Sequence, residues 1–392
     1  MVEAHTPQGA TGPYGLAAAL IANLFVLAVA LYAGLLERFD PDFYYVSLQE
    51  DEYLEWATFW AFMGAAAIFA VRAARRLRGS TLWAWFPAGL SLLCFFVAME
   101  EISWGQRLVG YRPPVYFLEH NFQQELNVHN ILATDLRKLT LKAIIAGYGV
   151  VLPLLVLARP GAWLAARAGV VAPPVALAPA FALTYALYEW YPWSFTGETV
   201  ELMLGLSFLF AAVLGTGRGE PGVEPSRSRL SRPAMTVAAV WAGVLVLGLA
   251  NAAAGRIERR QSPELLEWAG LEADALGNDF VAMGTRAKGR IVTRCDLHKR
   301  VYSYETKYDK PYLYDGEFAD LTVRGLPEER AAFFLDPWNS PYWIRDRCDS
   351  DLPGKRSVFV YSFGPNRRRD SSRWEILGDD VGAYIHSPGD RE

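Results

Sequence analysis

Long apolar stretches recur along the first two thirds of the chain and constrain its fold more than any other feature. A helix that crosses a lipid bilayer needs roughly 20 mostly apolar residues. No single water-soluble core would bury many such stretches in series, so one soluble globule is excluded. About seven spans are predicted, at 14–36, 53–71, 81–99, 139–158, 171–190, 200–214 and 234–254. The sequence therefore predicts a polytopic α-helical membrane bundle over residues 1–255.

The charges around these spans predict their orientation. Residues 1–13 contain no Lys or Arg and precede a long apolar run, so the first span is not a cleavable signal peptide. Lys and Arg follow the second, fourth and sixth spans, and such residues mark the cytoplasmic side. Basic residues within 100–138 and at 256–260 count against this orientation. We expect a bacterial cytoplasmic (inner) membrane protein whose C-terminal domain lies outside the cytoplasm.

The last third of the chain has a different character, because charged residues are dense there and no long apolar run occurs. The whole chain carries a net charge of −4, which gives no electrostatic basis for binding nucleic acid. Helices are predicted at 263–276 and 278–306, followed by short strands at 318–323, 342–344, 357–363 and 383–385. Residues 256–392 are thus expected to form a small α+β domain.

A dense polar group follows the third predicted span. Carboxylates at the end of an apolar span are costly unless they are paired or face a cavity. If the stretch around residues 125–129 is helical, Glu125 and His129 share one face, which suits metal coordination or a hydrogen-bonded pair. The candidate catalytic or metal-binding side chains are Glu100, Glu101, His120, Glu125 and His129.

Three interpretations of this polar group stay open. The acidic side chains pair with neighbouring arginines at the interface, or the group binds a divalent metal and does chemistry, or it lines an ion or solute path. Only two histidines lie here, so a three-histidine zinc site is impossible, whereas two histidines and a carboxylate are allowed. The phrases Glu-Glu-Ile-Ser-Trp-Gly-Gln-Arg at 100–107 and Glu-His-Asn…Asn-Val-His-Asn within 119–130 resemble a group of uncharacterised bacterial multi-pass membrane proteins. That resemblance implies no activity.

Two motifs in the last third resemble the major pseudopilin of type II secretion systems. Leu-Asp-Pro-Trp-Asn-Ser-Pro-Tyr-Trp-Ile-Arg at 335–345 is similar to that family's Asp-Pro-Trp-Gly-Asn-Pro-Tyr turn. Val-Tyr-Ser-Phe-Gly at 360–364, with Gly-Asp-Asp at 378–380, is similar to the family's calcium loop. The resemblance implies a C-terminal sheet whose last loop is organised by Ca²⁺. The domain follows a seventh predicted span, and the sequence shows no leader site. We therefore do not expect this protein to be a filament subunit.

The resemblance also implies the calcium ligands. Phe363, Asp379 and Asp380 match the family's ligand positions, and Asn366 and Asp370 offer further oxygen atoms, as Ca²⁺ requires. Three consecutive arginines at 367–369 oppose a bound dication.

The three cysteines are too few for a disulfide scaffold. Cys94 lies inside the third predicted span and is expected to be a small apolar residue there. Cys295 and Cys348 are both in the C-terminal domain, and in the pseudopilin arrangement the helix packs across the sheet. The expected disulfide therefore joins Cys295 to Cys348.

Two classes of function remain. In the first, a non-enzymatic envelope protein presents its pseudopilin-like domain to an envelope or secretion-system protein, or to copies of itself. In the second, a membrane-embedded, metal-assisted hydrolase or transferase acts on a lipid-linked substrate. A transporter is disfavoured because charged groups are scarce at mid-span. The expected partners are the lipid bilayer and an envelope protein, without nucleic acid.

Overall fold

The computed structural model describes residues 13–48, 52–77, 81–121, 123–215, 262–286, 297–302, 316–349 and 354–387. Their contacts divide the chain into two compact units. The first unit takes in Met1–Ile102 and Leu132–Val246. The second takes in Ser103–Ile131 and Leu247–Glu392.

The helices of the described residues follow one another along the chain. They are α1 (Pro13–Phe39), α2 (Pro41–Ser47), α3 (Tyr53–Arg76), α4 (Thr81–Glu101), α5 (Gln106–Val109), α6 (Val115–His120), α7 (Thr134–Lys142), α8 (Leu152–Leu155), α9 (Arg159–Ala168), α10 (Ala178–Trp190), α11 (Thr196–Leu214), α12 (Pro263–Arg286), α13 (Glu317–Asp320) and α14 (Glu328–Ala331). A π-helical stretch, Ala143–Val151, joins α7 to α8, and 3₁₀ turns occupy Ser103–Gly105, Val175–Leu177 and Leu321–Arg324. The strands are β1 (Leu297–Arg300), β2 (Trp343–Cys348), β3 (Arg356–Ser362) and β4 (Val381–His386).

Within the described residues, five helical segments of the first unit are long and apolar enough to cross a membrane. They are Gly15–Phe39, Tyr53–Arg76, Trp83–Glu101, Thr134–Leu155 and Thr196–Leu214. These segments coincide with the first, second, third, fourth and sixth predicted spans. The prediction of several membrane-length apolar helices in this half of the chain is therefore confirmed.

The other two predicted spans have different outcomes. In the predicted fifth span the long helix begins only at Ala178, because Pro173 and Pro174 have no N–H to donate to a helix. The resulting α10 has 13 residues, fewer than the five long segments have. The predicted seventh span, 234–254, lies outside the described residues, so a total of seven spans stays a prediction.

Helix α3 packs against α4 and α11 in the first unit. Small residues permit this close packing: Ala61, Ala65 and Ala66 are buried on α3. A Cβ atom added at Gly205 of α11 would lie 3.0 Å from the Phe62 ring. Small side chains let helix backbones approach in a membrane, where lipid supplies no hydrophobic force between helices.

The second unit contains a four-stranded antiparallel sheet with the strands in chain order, β1-β2-β3-β4. Helix α12 packs on the β3 and β4 side of this sheet. Their shared core includes Leu276 and Phe280 from the helix, with Ile344 and Val360 from the strands. The predicted strands at 342–344, 357–363 and 383–385 are confirmed as β2, β3 and β4. The prediction that the last third of the chain contains a helix followed by a small sheet is therefore confirmed.

Three local predictions in this unit are wrong, and each fails for a tertiary reason. Residues 263–286 form one continuous helix, and 297–300 are a strand because they pair with β2. Residues 318–323 are helical, because the Asp279 carboxylate accepts from the Glu317 and Phe318 amides, at 2.7 and 3.1 Å, and so caps α13. A carboxylate that satisfies free amides at a helix start favours the helix.

The opposite face of the sheet carries an aromatic cluster. Trp343, Phe359, Tyr361 and Phe363 are buried together there, and Ile376 packs against them. Ile376 belongs to the long connection between β3 and β4, so this connection folds back over the sheet. The acidic residues of the predicted calcium loop lie in the same connection.

The segment Ser103–Ile131 also belongs to the second unit. Arg367 donates to the Arg107 carbonyl, and Asn339 donates to the Gly110 carbonyl at 3.3 Å. Gln124 donates to the Phe333 carbonyl at 3.2 Å. The connection between the third and fourth predicted spans is thus bonded to the α+β fold.

Candidate functional site

Three carboxylates of the β3–β4 connection converge on one point. Asp370, Asp379 and Asp380 each offer a ligand oxygen, and these oxygens all lie within 4.8 Å of one another. Asp370 follows the run of arginines, whereas Asp379 and Asp380 immediately precede β4. Folding of the connection therefore brings together acidic residues that are nine to ten positions apart in the sequence. We call these three residues the acidic loop cluster.

Hydrogen bonds fix the members of the acidic loop cluster. The Asn366 amide nitrogen donates to Asp370 Oδ2 at 2.9 Å and to Asp379, whose Oδ2 also accepts from the Asn366 backbone at 3.1 Å. Asp380 accepts from the backbone N–H of Ser371 at 2.8 Å and of Asp370 at 3.2 Å. Asn366 thus joins Asp370 to Asp379.

Two glycines let the backbone close around this cluster. Gly364 and Gly378 have φ angles of +63° and +65°, which disfavour any side chain. A Cβ atom at Gly364 would lie 1.9 Å from the Asp379 carbonyl oxygen. One at Gly378 would lie 2.3 Å from Asp370 Oδ2. The glycines of the Val-Tyr-Ser-Phe-Gly and Gly-Asp-Asp motifs are therefore required for close approach.

The environment raises the pKa of Asp380 and lowers the pKa of Asp370. Burial raises the pKa of Asp380 to about 7, against the effect of its hydrogen bonds from Ser371 and Asp370. Burial also opposes ionisation of Asp370, but hydrogen bonds with Asp379 and Asn366 and the charge of Arg368 lower its pKa overall. The cluster therefore concentrates negative charge that a cation would stabilise.

The three arginines do not all face the acidic loop cluster. Arg367 and Arg369 are each only 2% exposed. Arg367 donates to the Arg107 carbonyl, and the Arg369 guanidinium lies over the Tyr361 ring at 5.9 Å. Arg368 is the arginine close enough to lower the pKa of Asp370. Arg367 and Arg369 therefore each have a contact other than the carboxylates, whereas the charge of Arg368 acts on Asp370.

The donor set suits calcium. Ca²⁺ takes six to eight oxygen ligands at about 2.3–2.6 Å, so two ligands on opposite sides are separated by about 5 Å. Three carboxylates within 4.8 Å of one another meet this requirement. Asp370, Asp379 and Asp380 would hold the ion, with Asn366 beside them. Phe363 immediately follows β3, and its ring stacks on Trp343 with centroids 5.9 Å apart; its ligand role stays a prediction.

The second candidate group, in the membrane half of the sequence, has a different geometry. Residues after Asn121 form turns rather than a helix, so Glu125 and His129 do not share a helical face. Glu125 is buried and forms an ion pair with Arg107. It also accepts from Ser103 Oγ at 2.6 Å and from Asn127 Nδ2 at 3.0 Å. We call these four side chains, Ser103, Arg107, Glu125 and Asn127, the Glu125 network.

The other predicted members of this group are Glu100, Glu101, His120 and His129. His120 is exposed, and its ring stacks on Tyr116 with centroids 4.4 Å apart. Glu100 and Glu101 end α4 in the first unit, whereas His129 lies on the turns of the second unit. Among the described residues, the acidic loop cluster is the one group of three or more His, Cys, Asp or Glu side chains close enough to share an ion.

The sequence analysis missed Glu55, an acidic neighbour of Glu101. Glu55 lies near enough to Glu101 to repel its charge, as do Glu198 and Glu201. Glu55 begins α3 and Glu101 ends α4, and these helices pack together. Only the antiparallel packing of two long helices reveals this proximity, because 46 positions separate the two residues in the sequence.

The five long segments of the described residues are apolar enough to cross a membrane, which is consistent with a membrane protein, and the α+β fold belongs to the second unit. No protein-family model matches the chain. Comparison with curated proteins and with solved structures likewise finds no match.

Proposed function

We propose that this protein presents a pseudopilin-like domain at the outer face of the bacterial cytoplasmic membrane, in a non-enzymatic envelope or secretion-related role. One observation supports it most. Asp336, in the Asp-Pro-Trp turn, accepts a hydrogen bond from Ser362, in the Val-Tyr-Ser-Phe-Gly motif. The Ser362 hydroxyl in turn accepts from the Gly364 N–H at 2.9 Å. The two motifs that carry the pseudopilin resemblance therefore form one bonded structure.

The surroundings of Glu125 favour the non-enzymatic role over a metal-assisted hydrolase or transferase. An enzyme of that kind would need Glu125 as a metal ligand or as a base. Its carboxylate is instead bonded to Arg107, Ser103 and Asn127. These partners occupy both carboxylate oxygens of Glu125, which favours a structural role for this side chain.

The proposed topology is tested with a reporter enzyme that is active only in the cytoplasm. Fused after Gly215, which follows α11, the reporter should be active, because basic residues mark this side as cytoplasmic. Fused after His386, at the end of β4, it should be silent. An active fusion at His386 together with a silent one at Gly215 would reverse the orientation and remove the presentation role.

We further propose that the acidic loop cluster binds Ca²⁺. Excess calcium should raise the unfolding free energy of the full-length protein by about 2.7 kcal/mol at a hundredfold excess over the dissociation constant. Asp379→Asn should abolish this stabilisation, because it removes a carboxylate from the cluster. Glu375→Gln is the matched control, since Glu375 is exposed on the same connection. Equal melting temperatures in calcium and in chelator would contradict calcium binding.

A disulfide between Cys295 and Cys348 is part of the same proposal, since it requires an oxidising compartment. Cys94 is a free, buried thiol, and no disulfide joins two cysteines of the described ranges. Cys295 lies outside those ranges, so its pairing stays a prediction. Its basis is that both cysteines lie in the C-terminal domain, together with the pseudopilin resemblance of that domain.

A further inference from the structure

Helix α9 follows directly after one of the membrane-length segments of the first unit. Only residues 156–158 separate it from the end of Thr134–Leu155. The backbone is extended at Ala158, with φ −84° and ψ 138°, so the preceding helix does not continue into α9. A Cβ atom at Gly161 would lie 2.1 Å from the Leu155 carbonyl oxygen, so a glycine lets the two segments approach. Helix α9 is therefore a separate helix that begins where a membrane-length segment ends.

The C-terminal end of α9 is fixed within the first unit. The Val170 N–H donates to the Ala165 carbonyl at 2.9 Å, and Gly169 has a φ of +68°, which is the usual way for a helix to end on a glycine. The indole Nε1 of Trp85, on α4, donates to the Ala168 carbonyl at 2.8 Å. The position of α9 is thus set by hydrogen bonds, and the same face of the helix is always presented outward.

That outward face carries a stripe of basic and aromatic side chains. Arg159, Trp163 and Arg167 are spaced four positions apart, so they share one face of α9, and all three are exposed. The Arg167 guanidinium lies over the Trp163 ring, 5.3 Å from its centroid. Trp163 is 61% exposed and the adjacent Leu164 is 62% exposed, whereas Ala165, on the opposite face, is half-buried. We call Arg159, Trp163 and Arg167 the α9 stripe.

The composition of the α9 stripe matches the interface between lipid and water. Helices that lie on a bilayer combine Lys or Arg with exposed Trp and Leu. The Trp ring lies at head-group depth, and a long basic side chain extends its charge to the surface while its stem stays on apolar surface. Leu155 and Leu157, just before α9, are 55% and 51% exposed and extend the apolar surface toward the membrane-length segment. A lipid surface therefore covers both the charged and the apolar parts of this face.

The charge of this region indicates which lipids would bind. Residues 136–188 contain no Asp or Glu, so no carboxylate of that stretch offsets the arginines. In the orientation that we propose, α9 lies on the cytoplasmic side, where the leaflet contains anionic lipids. Arginine binds phosphate through paired, charge-assisted hydrogen bonds. The stripe is thus complementary to anionic head groups rather than to zwitterionic ones.

We propose that α9 lies along the membrane surface and that the α9 stripe binds the head groups of anionic phospholipids. Arg159 and Arg167 contact the phosphates, the Trp163 ring lies at the depth of the glycerol groups, and Leu164 reaches the acyl chains. The choice of leaflet rests on the proposed orientation. The preference for anionic lipid rests on the stripe itself and does not depend on a pseudopilin-like role for the second unit.

The test uses the full-length protein in detergent, with phosphatidylglycerol and phosphatidylcholine as probes. Native mass spectrometry measures how much of each lipid is retained, and the rise in melting temperature with lipid concentration gives the apparent affinity. The wild type should bind phosphatidylglycerol more tightly than phosphatidylcholine. Arg159→Gln and Arg167→Gln should each weaken phosphatidylglycerol binding about fivefold, the effect of one basic residue at an anionic surface, and should leave phosphatidylcholine binding unchanged.

Two further variants separate the parts of the stripe from the rest of the surface. Trp163→Ala should weaken the binding of both lipids, because the ring contacts the glycerol region that they share. Arg75→Gln is the matched control, because it makes the same charge change at an exposed position of α3. It should leave the affinity for phosphatidylglycerol at the wild-type value.

Four results would overturn the proposal. Equal affinity of the wild type for the two lipids would indicate ordinary annular lipid, and equal weakening by Arg75→Gln would indicate a general surface charge effect. Inorganic phosphate that stabilises the protein as much as phosphatidylglycerol would assign the arginines to a free anion. Unchanged phosphatidylglycerol affinity in both Arg159→Gln and Arg167→Gln would exclude the stripe as a lipid site. A reversed topology would change only the leaflet, since lipid binding in detergent does not depend on orientation.

Discussion

Asp336 shows how one buried carboxyl organises the turn that precedes β2. Its Oδ1 accepts from the backbone N–H of Trp338 at 2.9 Å and of Ser340 at 2.8 Å, and its Oδ2 accepts from Ser362. Burial raises the pKa of Asp336 from 3.8 to about 7, while the bonds from Ser362, Ser340 and Trp338 act in the opposite direction. The turn is therefore held by a group that is easier to bury when protonated.

This pKa predicts how Asp336 couples stability to pH. Between pH 3.8 and about 7 the folded state binds this proton and the unfolded state does not. The contribution of Asp336 to the free energy of unfolding is therefore fully present below the unfolded-state pKa. It decreases as the pH rises and no longer changes above about pH 7.

Asp336→Asn removes the titrating group but keeps an oxygen for the two backbone amides. The wild type should lose stability relative to this variant by up to about 1.4 kcal/mol per pH unit as the pH rises from 4 to 7. Chemical denaturation of both proteins at several pH values measures the difference. The exposed Asp320→Asn is the control. A difference that stays constant with pH would refute this role for Asp336.

At the scale of elements, the register of β1 and β2 bears on the predicted disulfide. Leu297 lies opposite Asp346, and each step back along β1 corresponds to one step forward along β2. Cys348 is the last residue of β2, whereas Cys295 lies two positions before the start of β1 and outside the described residues. Opposed residues in antiparallel strands have Cα atoms about 4.5–5.5 Å apart, within the range that a disulfide spans.

We therefore expect one reactive thiol, Cys94, in unreduced and denatured protein taken from its native membrane. A bridge that closes a loop of some 50 residues contributes about 4 kcal/mol in the chain-entropy model. Thiol labelling with mass spectrometry identifies the reactive positions. Cys295→Ser should make Cys348 reactive as well, which serves as the control. Labelling of all three cysteines in the wild type would rule out the disulfide. The disulfide would then no longer support a C-terminal domain outside the cytoplasm.

At the scale of the whole molecule, the second unit is built from two stretches of chain that are far apart in the sequence. The Arg367 guanidinium lies against Gly110, where an added Cβ atom would be 1.8 Å from its Nη2. Gly110 also has a φ of +76°, which disfavours a side chain. A small residue at this point lets Ser103–Ile131 join the α+β fold.

Gly110→Ala should therefore destabilise the second unit. We expect a loss of about 1–3 kcal/mol from backbone strain, with a further loss from displacement of Arg367. Gly354→Ala is the matched control, because Gly354 has a φ of +81° with no atom within 4 Å of the added Cβ. Hydrogen exchange of the full-length protein should show faster exchange around Arg367 in Gly110→Ala alone. Equal exchange in both variants would contradict the role of this contact.

Local sequence patterns were sufficient for much of the architecture. Five spans follow from apolar runs alone, because a bilayer selects helices by summed hydropathy over about 20 residues. The strand β3 also follows from a local run of apolar and β-branched residues, and both of its faces are buried, Val360 in one cluster and Phe359 and Tyr361 in the other. The acidic residues of the β3–β4 connection were predicted from the motif resemblance rather than from a physical pattern in the sequence. The structure places Asn366, Asp370, Asp379 and Asp380 together.

Only the tertiary structure decided the features that depend on distant partners. Residues 297–300 are a strand because β2 offers them an edge, and α13 forms because Asp279 caps it from another helix. Glu125 pairs with Arg107 on turns that no periodicity predicts, and Arg367 faces Gly110 rather than the carboxylates beside it. Hydropathy is a sum over neighbours in sequence, whereas a hydrogen bond or ion pair depends on which residues the fold brings within about 3 Å.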